Sequence, residues 1–247
     1  MQQHSPSHRY RVVAPDYRGA GLSSKPDGGF TKPVMAADMA QLLDCLNITQ
    51  SVHLVGHDIG GMIAYAFASR FPERTASVNW GECPLPGTSV HDEDRSADQQ
   101  FHFLFHSVLD LLEALVIDRE DIYLNHFFGK LLYNTSSISS QDLDHYVRMY
   151  SQPGALRCAF NIYRVFLQDA EENHAWIACH SKCKVRALGL SGAKSRHKET
   201  AGRMFAEVHE ASTFRVAEVP ASGHYIADQN PNGFSKAVVD FIEEDAV

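Results

Sequence analysis

Gly56-His57-Asp58-Ile59-Gly60-Gly61 is the stretch whose residue types and spacing point most directly to covalent chemistry. Ser51 to Val55 before it reads as a strand, and Met62 to Phe71 after it as a helix closed by Pro72. The hexapeptide is therefore a sharp strand-to-helix turn. Such a turn needs small flanking residues, here Gly56 and Gly60, and pushes its central residue into the open. The helix that follows directs its positive N-terminal end at Asp58, which favours a carboxylate or a developing oxyanion there.

An ionised aspartate at such a turn is a nucleophile without a base to deprotonate it. It attacks carbon and leaves an ester on the protein. Esters of this kind form from strained or good leaving groups, such as epoxides or carbon–halogen compounds. Hydrolysis of the ester then needs a histidine to activate water. The chain has 14 histidines, so position must decide among them. His224, in Pro220-Ala221-Ser222-Gly223-His224, directly follows the last strand, where a base belongs in this chain order.

A carboxylate should orient that imidazole and stabilise its cation. The loop Ser191-Gly192-Ala193-Lys194-Ser195 contains no acid. Glu82, 24 residues beyond Asp58 at the end of the next strand, is the acid the sequence offers.

The elements that must hold these residues alternate. Strands are expected over Tyr10–Asp16 (short and buried), Ser51–Val55, Thr75–Trp80, Val185–Leu190 and Phe214–Val219. Helices are expected over Met35–Leu46, Met62–Phe71, His197–His209 and Phe234–Glu243. That rhythm implies an α/β protein with a mostly parallel sheet and helices on both faces. Between Pro84 and about Ser181 the pattern becomes helical and rich in aromatics, broken at Asn134-Thr135-Ser136-Ser137 and Gln152-Pro153-Gly154. It reads as a helical cap (84–181) inserted into a core made of 1–83 and 182–247, over the carboxyl edge of the sheet where ligands bind.

Composition excludes several functions. A net charge of −8 disfavours nucleic acid, which needs a basic face. No stretch approaches the ~20 apolar residues that span a bilayer, and the polar start, Met1 to Arg11, shows no secretory signal. A cytoplasmic protein is expected, with a homodimer as one possible assembly. The five cysteines, Cys45, Cys83, Cys158, Cys179 and Cys183, are odd in number and scattered, which argues against a disulfide framework. Cys179-His180-Ser181-Lys182-Cys183 has no second ligand cluster at zinc-like spacing and reads as a solvated link with free thiols, so no metal is expected.

Val12-Val13-Ala14-Pro15-Asp16-Tyr17-Arg18-Gly19, Val55-Gly56-His57-Asp58-Ile59-Gly60-Gly61 and Gly223-His224 together resemble the epoxide hydrolase and dehalogenase branch of the α/β-hydrolase superfamily, from about Tyr10 onward. The resemblance implies the triad Asp58–His224–Glu82 and no cofactor. Epoxide opening further requires cap donors to the leaving oxygen. Phe101-His102-Phe103 and Asn161-Ile162-Tyr163-Arg164 resemble the donor segments of a His/Tyr subgroup, which implies His102 and Tyr163. The rival dehalogenases carry a tryptophan or an arginine after the nucleophile. Ile59 can act as neither, which favours an apolar epoxide substrate and water.

The family pattern also places three strands before Tyr10, the third carrying a His-Gly-x-Pro motif that the sequence lacks. The expectation is an N-terminally truncated member of the fold, in which the Ile59 amide is the remaining oxyanion donor. An inactive homologue is the further alternative.

Overall fold

The structure, a computed structural model, describes residues 10–95 and 97–244. The elements run α1 (Lys32–Cys45), β1 (Val52–Val55), α2 (Ile59–Arg70), β2 (Thr75–Trp80), α3 (Ser89–Arg95), α4 (Phe101–Ser107), α5 (Leu111–Val116) and α6 (Glu120–Leu131). They continue with α7 (Ser140–Tyr150), α8 (Ala155–Arg164), α9 (Phe166–His180), β3 (Ala187–Gly192), α10 (Lys198–Val208), β4 (Phe214–Val219), α11 (Ile226–Gln229) and α12 (Pro231–Glu243).

The four strands form one parallel sheet in the order β1-β2-β3-β4. Burial follows position in that order. Every residue of β3 is buried, and so is all of β2 except Ala76, whereas β1 alternates half-buried and exposed residues. That contrast separates inner strands from an edge. α1 begins with Pro33 in its first turn, buries Met35, Ala36, Ala40 and Leu43 along one face, and stops at Asn47 (φ 54°). α2 is buried on almost every side, from Ile59 to Ser69, because it lies between α1 and the sheet.

All of α3–α9 fall between β2 and β3, as the helical stretch of the sequence anticipates. They are not a separate ball. Phe103, Cys158, Ile162 and Phe166 belong to the same buried cluster as Met35, Ile59, Met62, Val78 and Trp80. Among the described residues no helix is long and apolar enough to cross a membrane.

Three expectations are corrected. Tyr10–Asp16 is neither a strand nor buried: Arg11–Asp16 has no regular structure, and Val12 and Val13 are 57% and 37% exposed. No described strand borders β1 on its outer edge, so this apolar run has no hydrogen-bonding ladder to join. Cys183 is buried, in a bridge with His209, whereas Cys179 is exposed at the end of α9. The Cys179–Cys183 stretch is therefore only half a solvated link. Gly60 has open space around its Cα, so of the two turn glycines only Gly56 is sterically required.

Candidate active site

β1 delivers the chain to Gly56, where an added Cβ would stand 2.2 Å from the Gly60 carbonyl oxygen. The turn is stitched to the extension of β2: Gly56 N–H donates to Asn79 O at 2.8 Å and Asp58 N–H to Gly81 O at 3.0 Å. Asp58 has φ 51° and ψ −121°, a backbone conformation that costs about 1–3 kcal/mol and persists only where its surroundings enforce it. α2 starts at the next residue, so the Ile59 amide is among the helix's first donors, which have no partner within the helix.

Glu82 follows the end of β2 at φ 59° and is 1% exposed. Gly81 makes that approach possible, because a Cβ there would lie 2.0 Å from Leu190 O. One carboxylate oxygen of Glu82 accepts from Gly192 N–H at 2.8 Å, and the other from Ser195 Oγ at 2.7 Å. The second oxygen also meets His224 Nδ1 at 3.1 Å.

β4 ends at Val219, and the loop after it turns through Ala221 (φ 51°) to present His224. The opposite ring nitrogen, Nε2, lies 3.7 Å from Asp58 Oδ2. His57 Nε2 stands 2.7 Å from the His224 carbonyl oxygen, so a neutral His57 donates there and ties the His224 loop to the Asp58 turn. Three segments distant in sequence thus converge at the carboxyl ends of β1, β2 and β4.

The charges follow from this arrangement. Burial by itself opposes a cation at His224, but bonds to Asp58 and Glu82 outweigh it and push the imidazole up to about 9 from 6.5. Burial likewise opposes the Asp58 anion, yet His224, with help from His57 and His102, holds its carboxyl below the usual value. The resting centre is a carboxylate–imidazolium–carboxylate array.

The array floors a cavity of about 600 Å³. His102 of α4 and Tyr163 of α8 line it, their rings 5.7 Å apart edge to face. Burial pulls His102 down to about 4, so it is a neutral imidazole, and burial beside Asp58 keeps the Tyr163 phenol protonated. Both can donate a hydrogen bond. The remaining walls are mostly apolar or aromatic, among them Leu124, Phe127, Phe128, Ile138 and Phe160.

The structure thus brings together every residue the sequence singles out: Asp58, Glu82 and His224 in contact, His102 and Tyr163 lining the same cavity, and the Ile59 amide next in the chain to Asp58. It adds some that sequence reasoning missed. Tyr150, at the end of α7, lines the cavity and is kept protonated by burial and by Asp58. Ser195 and the Gly192 amide, in the loop that lacks an acid, serve Glu82 as donors instead. His197 lies 6.2 Å, ring to ring, from His224. A hydroxyl in an acid-free loop was the one available signal for Ser195; nothing local marks Tyr150 or His197.

A parallel sheet carrying a strained aspartate at a strand–helix turn, with a histidine after the last strand, defines an α/β hydrolase. The chain belongs to the alpha/beta hydrolase fold family, whose profile matches residues 1–136. It is 33% identical over 178 residues to the soluble epoxide hydrolase of Corynebacterium sp. (strain C12), a match covering 68% of this chain and 60% of that enzyme. It is 26% identical over 245 residues to epoxide hydrolase 4 of Mus musculus, covering 96% of this chain and 66% of the relative. Among solved structures, wild-type Cfl2 of Burkholderia cenocepacia superposes with a TM-score of 0.85 at 30% identity, covering 94% of this chain and 79% of that one. These likenesses place the chain in the epoxide hydrolase and dehalogenase branch. It spans a little under two thirds of the length of the curated relatives it matches.

Proposed function

We propose that the protein opens epoxides to vicinal diols through an ester on Asp58. The observation that carries this reading is the placing of His224 between two carboxylates, one buried and fully hydrogen-bonded (Glu82), the other turned to the cavity (Asp58, side chain 36% exposed). The helical stretch 84–181 serves as the cap that brings His102 and Tyr163 over the nucleophile.

In the first step an Asp58 oxygen attacks an epoxide carbon and the ring C–O bond breaks. The leaving oxygen accepts hydrogen bonds from His102 and Tyr163, which lowers the cost of its developing charge. Ester formation removes one of the two anions that hold the proton on His224. That proton passes to the alkoxide, and Nε2 becomes an acceptor. In the second step His224 takes a proton from water, which attacks the ester carbonyl. The Ile59 amide faces the tetrahedral oxyanion. Collapse frees the diol and regenerates Asp58 with one oxygen from solvent.

Turnover in heavy-oxygen water followed by mass spectrometry of the Asp58 peptide tests the route. Label should enter that carboxylate. Diol formation without label there would exclude the ester. The dehalogenase alternative is disfavoured by Ile59, whose side chain is 8% exposed and packed in the core, where it offers no donor to a halide. Halide release from a haloalkane or haloacetate, with no diol from any epoxide, would promote it.

A further inference from the structure

A second histidine faces the array and takes no part in the chemistry above. His197 stands just before α10 and is 8% exposed. Its backbone N–H meets Ser195 Oγ at 3.2 Å, but neither ring nitrogen makes a hydrogen bond among the described residues. The ring lines the cavity beside the buried Glu82 carboxylate, where a nitrogen lone pair is open to a ligand. One His197 ring nitrogen, a Glu82 oxygen and a His224 ring nitrogen all lie within 4.8 Å of one another, and all three side chains line the cavity.

We infer that Glu82, His197 and His224 form an inhibitory binding site for a borderline divalent cation of the Zn²⁺ type. Tetrahedral zinc with bonds of about 2.0–2.2 Å sets its ligand atoms roughly 3.3 Å apart. His224 Nδ1 and Glu82 Oε2, at 3.1 Å, already stand near that spacing. Bringing in the His197 nitrogen requires closure of about 1.5 Å or less. Two imidazoles and one carboxylate select Zn²⁺ or Co²⁺ over Mg²⁺ and Ca²⁺, which prefer all-oxygen shells. The other Glu82 oxygen stays held by Gly192 N–H, an outer contact that fixes the ligand's direction. The fourth position opens on the cavity and takes water.

The consequence for catalysis rests on the function proposed above; the binding does not. The metal takes the Nδ1 lone pair of His224 in place of the proton carried there, which leaves to solvent. The remaining ring proton sits on Nε2. Held by the metal, that neutral ring is a weaker acid than the imidazolium, because losing its proton would leave an imidazolate; delivery of a proton to the alkoxide fails, and diol formation stops.

The test uses the full chain freed of metal. Calorimetry should show one Zn²⁺ bound per chain, Co²⁺ should produce the visible absorption of a four-coordinate ion, and Mg²⁺ should give neither signal. His197→Gln should weaken Zn²⁺ binding by about tenfold or more. Cys179→Ser, which removes the exposed thiol of α9, should leave it unchanged. Because a buried substitution can unsettle folding, NMR of the unaltered chain supplies the second readout: Zn²⁺ should shift the ring signals of His197 and His224. Absence of binding, equal affinity in His197→Gln, loss in Cys179→Ser, or ring signals that stay in place would each overturn the site. Zn²⁺ should also suppress diol formation, and a chelator should restore it. A chain that opens no epoxide yet binds Zn²⁺ at these residues would refute the catalytic reading and keep the metal site.

Discussion

His224 Nδ1 and Glu82 Oε2 meet at 3.1 Å across 142 residues of chain. The carboxylate cannot turn away, because Gly192 N–H and Ser195 Oγ grip it as well. It therefore fixes the ring with Nδ1 toward Glu82 and Nε2 toward Asp58. Glu82→Gln keeps the size but removes the charge, and its amide N–H₂ can point donors at donors. The expected outcome is a fall in kcat of about 10²–10⁴-fold, concentrated in ester hydrolysis. Rapid-quench mass spectrometry should find the Asp58 ester accumulating. A variant that hydrolyses its ester at the normal rate would remove Glu82 from the mechanism.

The proton on His224 has its own signature. Its folded value, about 9, lies above the ordinary 6.5, so the charged form contributes stability in full below pH 6.5. That contribution is lost as pH rises through about 9. In the proposed ring opening the same proton neutralises the alkoxide, so kcat/KM should decline above about pH 9. Asp58→Asn removes one of the two anions that hold it. Titration of the His224 ring by NMR should then give a value below that of the unaltered chain. An unchanged value would mean that Asp58 is not coupled to the base.

The proposed ring opening should be sensitive to His102 of α4 and Tyr163 of α8. Tyr163→Phe and His102→Phe each delete a donor while keeping most of the aromatic volume. Each should slow ester formation by roughly 10²–10³-fold while leaving ester hydrolysis nearly unchanged. Single-turnover kinetics separates the two steps. Equal slowing of both would assign these residues to packing alone, which their contacts with Phe103 and with each other also permit.

How far the sequence could be read depended on whether the signal was local. The Asp58 turn is legible because strand, glycines and helix are contiguous, and β2, β3 and β4 because apolar runs sit between clear breaks. Glu82 could be chosen because the other available loop holds no acid. Tyr10–Asp16 misled because an apolar run reads as a strand whether or not a partner exists, and pairing is not written in the run itself. Tyr150 is invisible for another reason. The amphipathic α7 marks an inward side, half-buried in the structure, but not that one end of it reaches a cavity built from many other segments. The approach of the His197 ring to Glu82 and His224 arises from contacts between loops far apart in sequence.

Acid should unfold the protein through its buried histidines. His91 and His209 are each 0% exposed; among the described residues both ring nitrogens of His91 and Nδ1 of His209 lack hydrogen-bond partners, the Asp92 carboxylate lying 3.7 Å from His91 Nδ1. Burial pulls His91 to about 4 and His209 to about 3, from 6.5. A depressed histidine favours the fold above its unfolded value, and the advantage is lost as pH falls from 6.5 toward 4 and 3. Each unit of separation corresponds to about 1.4 kcal/mol. The melting temperature should therefore drop steeply between pH 6 and pH 4. His91→Phe, which shares its surroundings with Phe103 and Phe166, should flatten the profile. A Tm independent of pH in that window would contradict the assignment.

Lys32 and Asp169 form a buried ion pair that a single substitution would leave half-made. Lys32 Nζ lies 2.5 Å from Asp169 Oδ2, with side chains 2% and 0% exposed. The lysine also donates to Ile162 O at 3.2 Å, and its backbone N–H to Asp169 Oδ1 at 2.7 Å. The pair thus joins the start of α1 to α8 and α9. Burial drives both groups toward their neutral forms, lowering Lys32 and raising Asp169, and mutual attraction opposes it. Removing one partner strands a buried charge, so Asp169→Leu should cost about 3–5 kcal/mol. Lys32→Met/Asp169→Leu removes both charges and should recover most of that loss, because a well-packed apolar pair can replace a buried ion pair at little cost. Denaturant melts of the two single variants and the double variant close the cycle. Strict additivity, with the double variant as unstable as the two losses combined, would show that the side chains do not interact.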